Sequence, residues 1–233
     1  MDLRDNLHQV EERIAAAAAH AGRERASITL VAVSKTQPLE ALLAAYDLGV
    51  RDFGENRVEE AAIKLPEFRS VVADPTVVWH FIGHVQSRKA DEVAALFDRV
   101  HSVDSLKLAQ RLDRFAAAQH TVRPILLEVN VSGEASKYGF DQARLDELYA
   151  AIDGIGSLAH VRLDGLMTMA PIVAQAEQAR PVFGGLRDLR DRLAVRCGRP
   201  LPQLSMGMTD DFEVAIEEGA TLVRVGRAIF GER

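Results

Sequence analysis

The chain reads as a (β/α)8 barrel of the TIM type with an extra N-terminal helix, and three observations carry that reading. Eight short apolar runs rich in β-branched residues recur along 233 residues, helical patterns fill most of the intervals, and no G-x-G-x-x-G follows the first run. Eight βα units over roughly 200 to 250 residues are what a closed barrel requires, whereas an open doubly wound sheet shows about five or six strands and a glycine-rich first turn. No Pro/Ser-rich linker or composition break divides the chain, so residues 1–233 are expected to form one domain.

Taken in order, Asp2 to Ala21 forms an amphipathic helix, with Leu3, Leu7, Val10 and Ile14 at helical spacing. Strands are expected to begin at Ile28, Arg51, Val77, Arg99, Pro124, Val161, Gln203 and Thr221, with helices over Leu39–Leu48, Glu55–Leu65 and Gln86–Phe97. The second strand, Arg51-Asp52-Phe53-Gly54, is short, which keeps an open sheet as the structural alternative. Asp104 or Ser105, placed before Leu106-Lys107-Leu108, reads as a helix N-cap, because such side chains satisfy exposed amides.

Composition narrows the partners. A net charge of -6, with 28 basic residues scattered rather than blocked, argues against a non-specific nucleic-acid binder. One cysteine, Cys197, allows no intramolecular disulfide and sits in no metal-site or C-x-x-C spacing, which fits a reducing cytoplasm. Acidic residues interrupt the first 24 positions, and no apolar stretch reaches the roughly 18 residues of a membrane span, so neither export nor insertion is expected.

Barrel enzymes build their sites at the carboxyl ends of the strands. Lys35 stands there, after Ile28-Thr29-Leu30-Val31-Ala32-Val33 and before Pro38. A lysine partly stripped of water can attack a carbonyl as the neutral amine; on its own segment Lys35 also reads as a solvated lysine past a strand end. Later strands end in Gly54-Glu55-Asn56-Arg57, in Gly83 leading to His84 and Gln86, in Glu128-Val129-Asn130 and in Met167-Thr168-Met169.

The last two units end in Leu204-Ser205-Met206-Gly207-Met208-Thr209 and Val223-Arg224-Val225-Gly226-Arg227. Ser205 offers a hydroxyl, and Gly207 and Gly226 let the backbone come close enough for amides to hold phosphate oxygens, as loops after the seventh and eighth barrel strands commonly do. Asp210 and Asp211 would repel a phosphate unless they cap or face solvent. Arg224 lies inside an apolar strand, where a guanidinium needs a partner. A lysine, a phosphate cup and an arginine together describe a ligand with an aldehyde, a phosphate and a ring nitrogen, and pyridoxal 5′-phosphate has all three. An arginine donating to the pyridine nitrogen keeps it unprotonated and weakens the ring as an electron sink.

Seven ordered blocks also resemble the YggS/PROSC family of pyridoxal phosphate homeostasis proteins: Val31-Ala32-Val33-Ser34-Lys35-Thr36, Phe53-Gly54-Glu55-Asn56-Arg57, His80-Phe81-Ile82-Gly83 with Gln86 and Lys89, Lys137-Tyr138-Gly139, Gly165-Leu166-Met167-Thr168-Met169, Leu204-Ser205-Met206-Gly207-Met208, and Val223-Arg224-Val225-Gly226 with Ile229-Phe230-Gly231. The resemblance implies a barrel of the alanine-racemase N-terminal-domain type, a Schiff base on Lys35 and a ring-nitrogen contact from Arg224. It further implies phosphate contacts from Ser205, Gly207, Gly226 and the backbone of Arg227, with Asn56 lining the pocket. Arg88 stands where the family often has asparagine, and Thr209 where serine is usual.

Two classes of function follow. One is a protein that holds pyridoxal phosphate and hands it on, including to apo enzymes that need it. The other is a Schiff-base enzyme, either a weak amino-acid racemase or a class I aldolase. Racemases of this barrel type draw a tyrosine base from a second, β-rich domain, and this sequence ends at Gly231-Glu232-Arg233 after the eighth unit. Tyr46 and Tyr149 sit in helical patterns, leaving Tyr138 as the site neighbour; Lys137 reads as a second cofactor contact or as a solvated loop lysine. Without a second domain the chain is expected to be a monomer.

Overall fold

The computed structural model describes residues 2–134 and 138–231, and each of the eight expected runs is a strand. The strands are β1 (Thr29–Val33), β2 (Asp52–Glu55), β3 (Val78–Phe81), β4 (Arg99–Val103), β5 (Arg123–Asn130), a two-residue β6 (Phe140–Asp141), β7 (Val161–Met167), β8 (Gln203–Ser205) and β9 (Leu222–Val225). All but β6 pair in parallel around a closed ring, β1-β2-β3-β4-β5-β7-β8-β9 and back to β1. Closure removes the edges that an open sheet would expose, and with it the open-sheet alternative.

The short second strand survives because it is paired on both sides and buried. Phe53 stacks on Trp79 across the β2–β3 pair with ring centroids 5.2 Å apart, and neither ring is exposed. The strand β6 has no counterpart in the sequence reading. Gly139, at φ +106°, turns the chain against the backbone of Glu128, and Phe140 and Asp141 then pair with Val129 and Asn130.

The helices are α1 (Leu3–His20), α2 (Leu39–Asp47), α3 (Val58–Val71), α4 (Ala90–Leu96), α5 (Leu106–Ala118), α6 (Leu145–Gly156), α7 (Arg180–Cys197), α8 (Phe212–Glu217) and α9 (Arg227–Phe230). The extra helix α1 is capped by Asp2, whose side chain accepts from the Asp5 amide at 2.9 Å, and it buries Leu7, Val10 and Ile14 against α8 and α9. Two expected helix boundaries move. The helix placed before Pro66 runs on to Val71, because Leu65 and Phe68 are both buried and packing holds the helix on either side of the proline. The helix expected over Gln86–Phe97 begins as a 3-10 turn, Ser87–Lys89, with the Lys89 amide bonded to the Gln86 carbonyl at 2.8 Å, before α4.

Ser105 is the N-cap of α5, its Oγ accepting from the Leu108 amide at 3.3 Å. Ser105→Ala is therefore expected to cost about 1 kcal/mol, read as a lowered denaturation midpoint at unchanged m-value.

Most of the core lies between the strands and the helices. A separate cluster of Val31, Leu126, Met167 and Leu222, each on a different strand, fills the barrel interior. No described helix is long and apolar enough to cross a membrane, and the described residues contain no group of three or more His, Cys, Asp or Glu able to hold a metal.

Candidate functional site at the barrel mouth

Alternation along β1 puts Val31 and Val33 on the inner face and carries Lys35 to the rim just beyond the strand. Its side chain is half-buried and has no hydrogen bond or ion pair among the described residues. The turn around it is clamped from both sides. Lys64 Nζ, on α3, donates to the Ser34 carbonyl at 2.9 Å, to Glu55 Oε1 at 2.9 Å and to Glu60 Oε1 at 2.6 Å. Ser34 Oγ donates to Glu55 Oε1 at 2.7 Å, and the Thr36 amide donates to Glu60 Oε1 at 2.5 Å. Thr36 is thereby held at φ +63°, a conformation a β-branched residue rarely adopts. Glu55 is fully buried, and burial pushes its carboxyl above the usual carboxylate range while Lys64 and Ser34 pull it back. The sequence reading missed Glu60 and Lys64; their i,i+4 spacing on α3 was the available signal.

On the neighbouring strand β9, Arg224 is level with Val31 and only 5 % exposed. Its Nη1 donates to Ser205 Oγ at 2.5 Å and its Nη2 to the Thr168 carbonyl at 3.0 Å. Burial lowers its pKa to about 10, so the guanidinium stays charged at neutral pH. Beyond Ser205 the contacts continue through His101 Nδ1 at 2.8 Å, from His101 Nε2 to His80 Nδ1 at 2.9 Å, and from His80 Nε2 to Asp52 Oδ1 at 2.8 Å. Neither histidine was among the residues singled out for a role by sequence. They sit mid-strand in buried runs, where a histidine gives no more signal than a satisfied core residue. Glu128, at the end of β5, is 4 % exposed, and its carboxyl is pushed up to about 7, first by burial and then by Asp104, against the opposing pull of Arg224.

The two glycine turns lie at the ends of β8 and β9. Gly207 adopts φ +92°, and a β-carbon there would fall 2.9 Å from the Phe212 Cα; one on Gly226 would fall 3.1 Å from the Val33 carbonyl oxygen. Only glycine fits at Gly207, while a side chain at Gly226 would crowd the Val33 carbonyl and require it to give by a few tenths of an ångström. Of the two acidic residues expected to turn away from an anion, Asp211 accepts from the Met208 amide at 2.6 Å, and Asp210 pairs with the exposed Arg227 side chain at 2.5 Å. Arg227 opens α9 directly after Gly226, so its backbone rather than its guanidinium faces the turn. Ser205, expected to reach a phosphate, is fully buried with its hydroxyl between Arg224 and His101.

Asn56, at the end of β2, has a buried Oδ1 with no hydrogen-bond partner among the described residues. It lines a cleft of about 460 Å³ with Arg57, His84, Gln86 and Lys89, which opens beside the ends of β2 and β3 and does not include Lys35 or Arg224. Tyr138 stacks on His84 with centroids 3.8 Å apart, while Tyr46 and Tyr149 are held on the helical layer by Asp74 and Arg196. Lys137 lies outside the described residues. An unpaired lysine amine, an orphaned amide oxygen and an arginine with two hydrogen bonds among the described residues for its five donors suit an aldehyde-bearing, anionic heterocycle.

The family model described as "Alanine racemase, N-terminal domain" matches residues 6–233. Among similar proteins, the pyridoxal phosphate homeostasis protein of Pseudomonas aeruginosa is 44% identical over 229 residues, covering 98% of this chain and 95% of that one. The protein of the same name from Aquifex aeolicus is 40% identical over 233 residues, covering 100% and 99%. Among solved structures, PipY of Synechococcus elongatus with PLP bound superimposes with a TM-score of 0.82 at 36% identity, covering 95% of this chain and all of PipY. With the barrel closed, the racemase-domain match running almost end to end and relatives at 40% identity over their whole length, this chain belongs to the family of pyridoxal phosphate homeostasis proteins.

Proposed function

We propose that the protein holds pyridoxal 5′-phosphate at the barrel mouth and hands it on to apo enzymes that require it, as a carrier without robust turnover. The observation that carries this reading is the pairing of β1 with β9, in which Arg224, with its guanidinium anchored, is level with Val31 while the unpaired amine of Lys35 follows just past the carboxyl end of β1. When bound, the group supplies an aldehyde that condenses with an amine, releasing water, and a conjugated ring that absorbs visible light.

Lys35 provides that amine, presented by the Lys64–Glu55–Glu60 clamp without being drawn into it. Arg224 donates to the ring nitrogen and keeps it unprotonated, which limits carbanion chemistry. The backbone at Gly207, Gly226 and Arg227 holds the phosphate, and Asn56 offers its unpaired Oδ1 to the pocket wall. Racemisation needs a second base opposite the lysine; Tyr46 and Tyr149 are committed on the outer layer, and Tyr138 lies flat on His84. The reading includes a cytoplasmic monomer, with Cys197 as a free thiol at the end of α7.

Purified protein mixed with pyridoxal phosphate is expected to turn yellow, to lose the visible band on borohydride reduction, and to carry the label on Lys35 in a peptide map. Lys35→Ala is expected to show no band. A wild-type protein that stays colourless overturns the reading and leaves the aldolase alternative, while substantial turnover of D- or L-alanine moves the assignment to a racemase.

A further inference from the structure

The contacts beyond Ser205 form a chain with one permitted direction. Asp52 sits at the amino end of β2 with its side chain 27% exposed, and its carboxylate only accepts, so His80 Nε2 must donate to it at 2.8 Å. A neutral His80 then accepts at Nδ1, which requires His101 to donate from Nε2 across 2.9 Å. His101 in turn accepts at Nδ1, and the only proton within reach is that of Ser205 Oγ, 2.8 Å away. Ser205 is left with lone pairs for the Arg224 Nη1 hydrogen at 2.5 Å.

All four contacts from Arg224 to Asp52 can be made together only in this order, and the contact from His101 on β4 to Ser205 on β8 crosses the barrel interior. The charged groups around the two rings are Asp52, Asp98 and Arg99 for His80, and Arg99 and Arg224 for His101. Burial pushes both rings below the usual histidine range, which favours the neutral forms that the chain needs.

We propose that Asp52, His80 and His101 are positioning residues that act through Ser205 to hold the Arg224 guanidinium on the ring nitrogen of the bound cofactor. This rests on the reading of the mouth as a pyridoxal phosphate site. It also changes the role of Ser205: its one proton is committed to His101, so Ser205 serves the ring end of the ligand, and the phosphate is left to the backbone of the glycine turns. A hydroxyl on the phosphate predicts that its removal weakens only the phosphorylated ligand, whereas a hydroxyl behind the arginine predicts an equal loss for ligands with and without the phosphate.

The test compares pyridoxal phosphate with pyridoxal on wild type, Ser205→Ala, His101→Phe and His101→Gln, following the visible band. Loss of one hydrogen bond to a charged group corresponds to about tenfold in affinity. Ser205→Ala and His101→Phe are expected to weaken both aldehydes by the same factor of about ten and to shift the band, as the ring nitrogen loses its fixed donor. His101→Gln, whose amide can still accept from Ser205 and donate to His80, is expected to recover most of that loss.

Independently of any ligand, nitrogen-15 spectra of histidine-labelled protein, with the His80 and His101 signals among the seven assigned by single substitutions, are expected to show both of these rings neutral with the proton on Nε2 at pH 7. A loss confined to pyridoxal phosphate would assign Ser205 to the phosphate and overturn the proposal, as would unchanged binding of both aldehydes or a cationic or Nδ1–H form of His80 or His101 at pH 7. Wild type that binds neither aldehyde would instead overturn the cofactor reading, and needs no variant to be seen.

Discussion

Lys64→Met is expected to destabilise the protein by about 3–5 kcal/mol at pH 8, the cost of leaving one member of a buried ion pair without its partner. Lys64 is 7% exposed and serves two carboxylates and a carbonyl at once; without it, Glu55 is a fully buried carboxylate whose Oε2 already has no hydrogen-bond partner among the described residues. Burial already raises the Glu55 pKa, with Lys64 opposing, so the variant moves it further up. Below that raised value the carboxyl takes a proton and the desolvated charge disappears, so the deficit shrinks as pH is lowered. Urea titrations at pH 8 and pH 5 read this directly, and a deficit that is small and pH-independent would show that Lys64 is not the partner that matters. The double variant Glu55→Gln/Lys64→Met is expected to recover much of the lost stability, since a neutral pair leaves no buried charge. It will not recover cofactor affinity to the same degree, because the Ser34 carbonyl still lacks its Lys64 donor and Glu60, which holds the Thr36 amide, still lacks its ion pair, leaving the turn on either side of Lys35 less firmly held.

That clamp shows why part of the site was legible in the sequence and part was not. Lys35, Gly207, Gly226 and Arg224 are each out of place in their local segment: an amine after an apolar run, a guanidinium within one, glycines where a strand turns. Local anomalies of that kind can be read from a string. The eight strands were equally readable, because β-branched runs and helical periodicity are local, and only the two-residue β6 and the continuation of α3 past Pro66 depended on tertiary packing. What supports the site is different. His101 and Ser205 are 104 residues apart, and Glu60 and Lys64 reach back to residues 34 and 36. Their supporting roles exist only once the ring has closed: Ser205 was readable as a hydroxyl but not as the partner of His101, and the i,i+4 spacing of Glu60 and Lys64 does not say what they reach.

Glu128→Gln is expected to stabilise the protein by about 3 kcal/mol above pH 8 and to change it little near pH 4. In the folded chain the Glu128 carboxyl ionises near 7 instead of near 4.5, with burial the leading cause and Asp104 adding to it. Between those two values the unfolded chain has released a proton that the folded chain still holds, so this group's contribution is fully present below about pH 4.5 and is lost as pH rises through about 7. The difference between variant and wild type therefore grows across that window and then levels, at the order of magnitude set by about 1.4 kcal/mol per pH unit. Chemical denaturation from pH 4 to pH 9 measures the curve, and parallel curves for the two proteins would remove Glu128 as a titrating group. Among the described residues nothing hydrogen-bonds this carboxyl, so packing alone does not account for a carboxyl there. Its electrostatic coupling is to Arg224 and Asp104, so the charge on Glu128 opposes the burial cost of the Arg224 guanidinium, the group proposed to donate to the ring nitrogen.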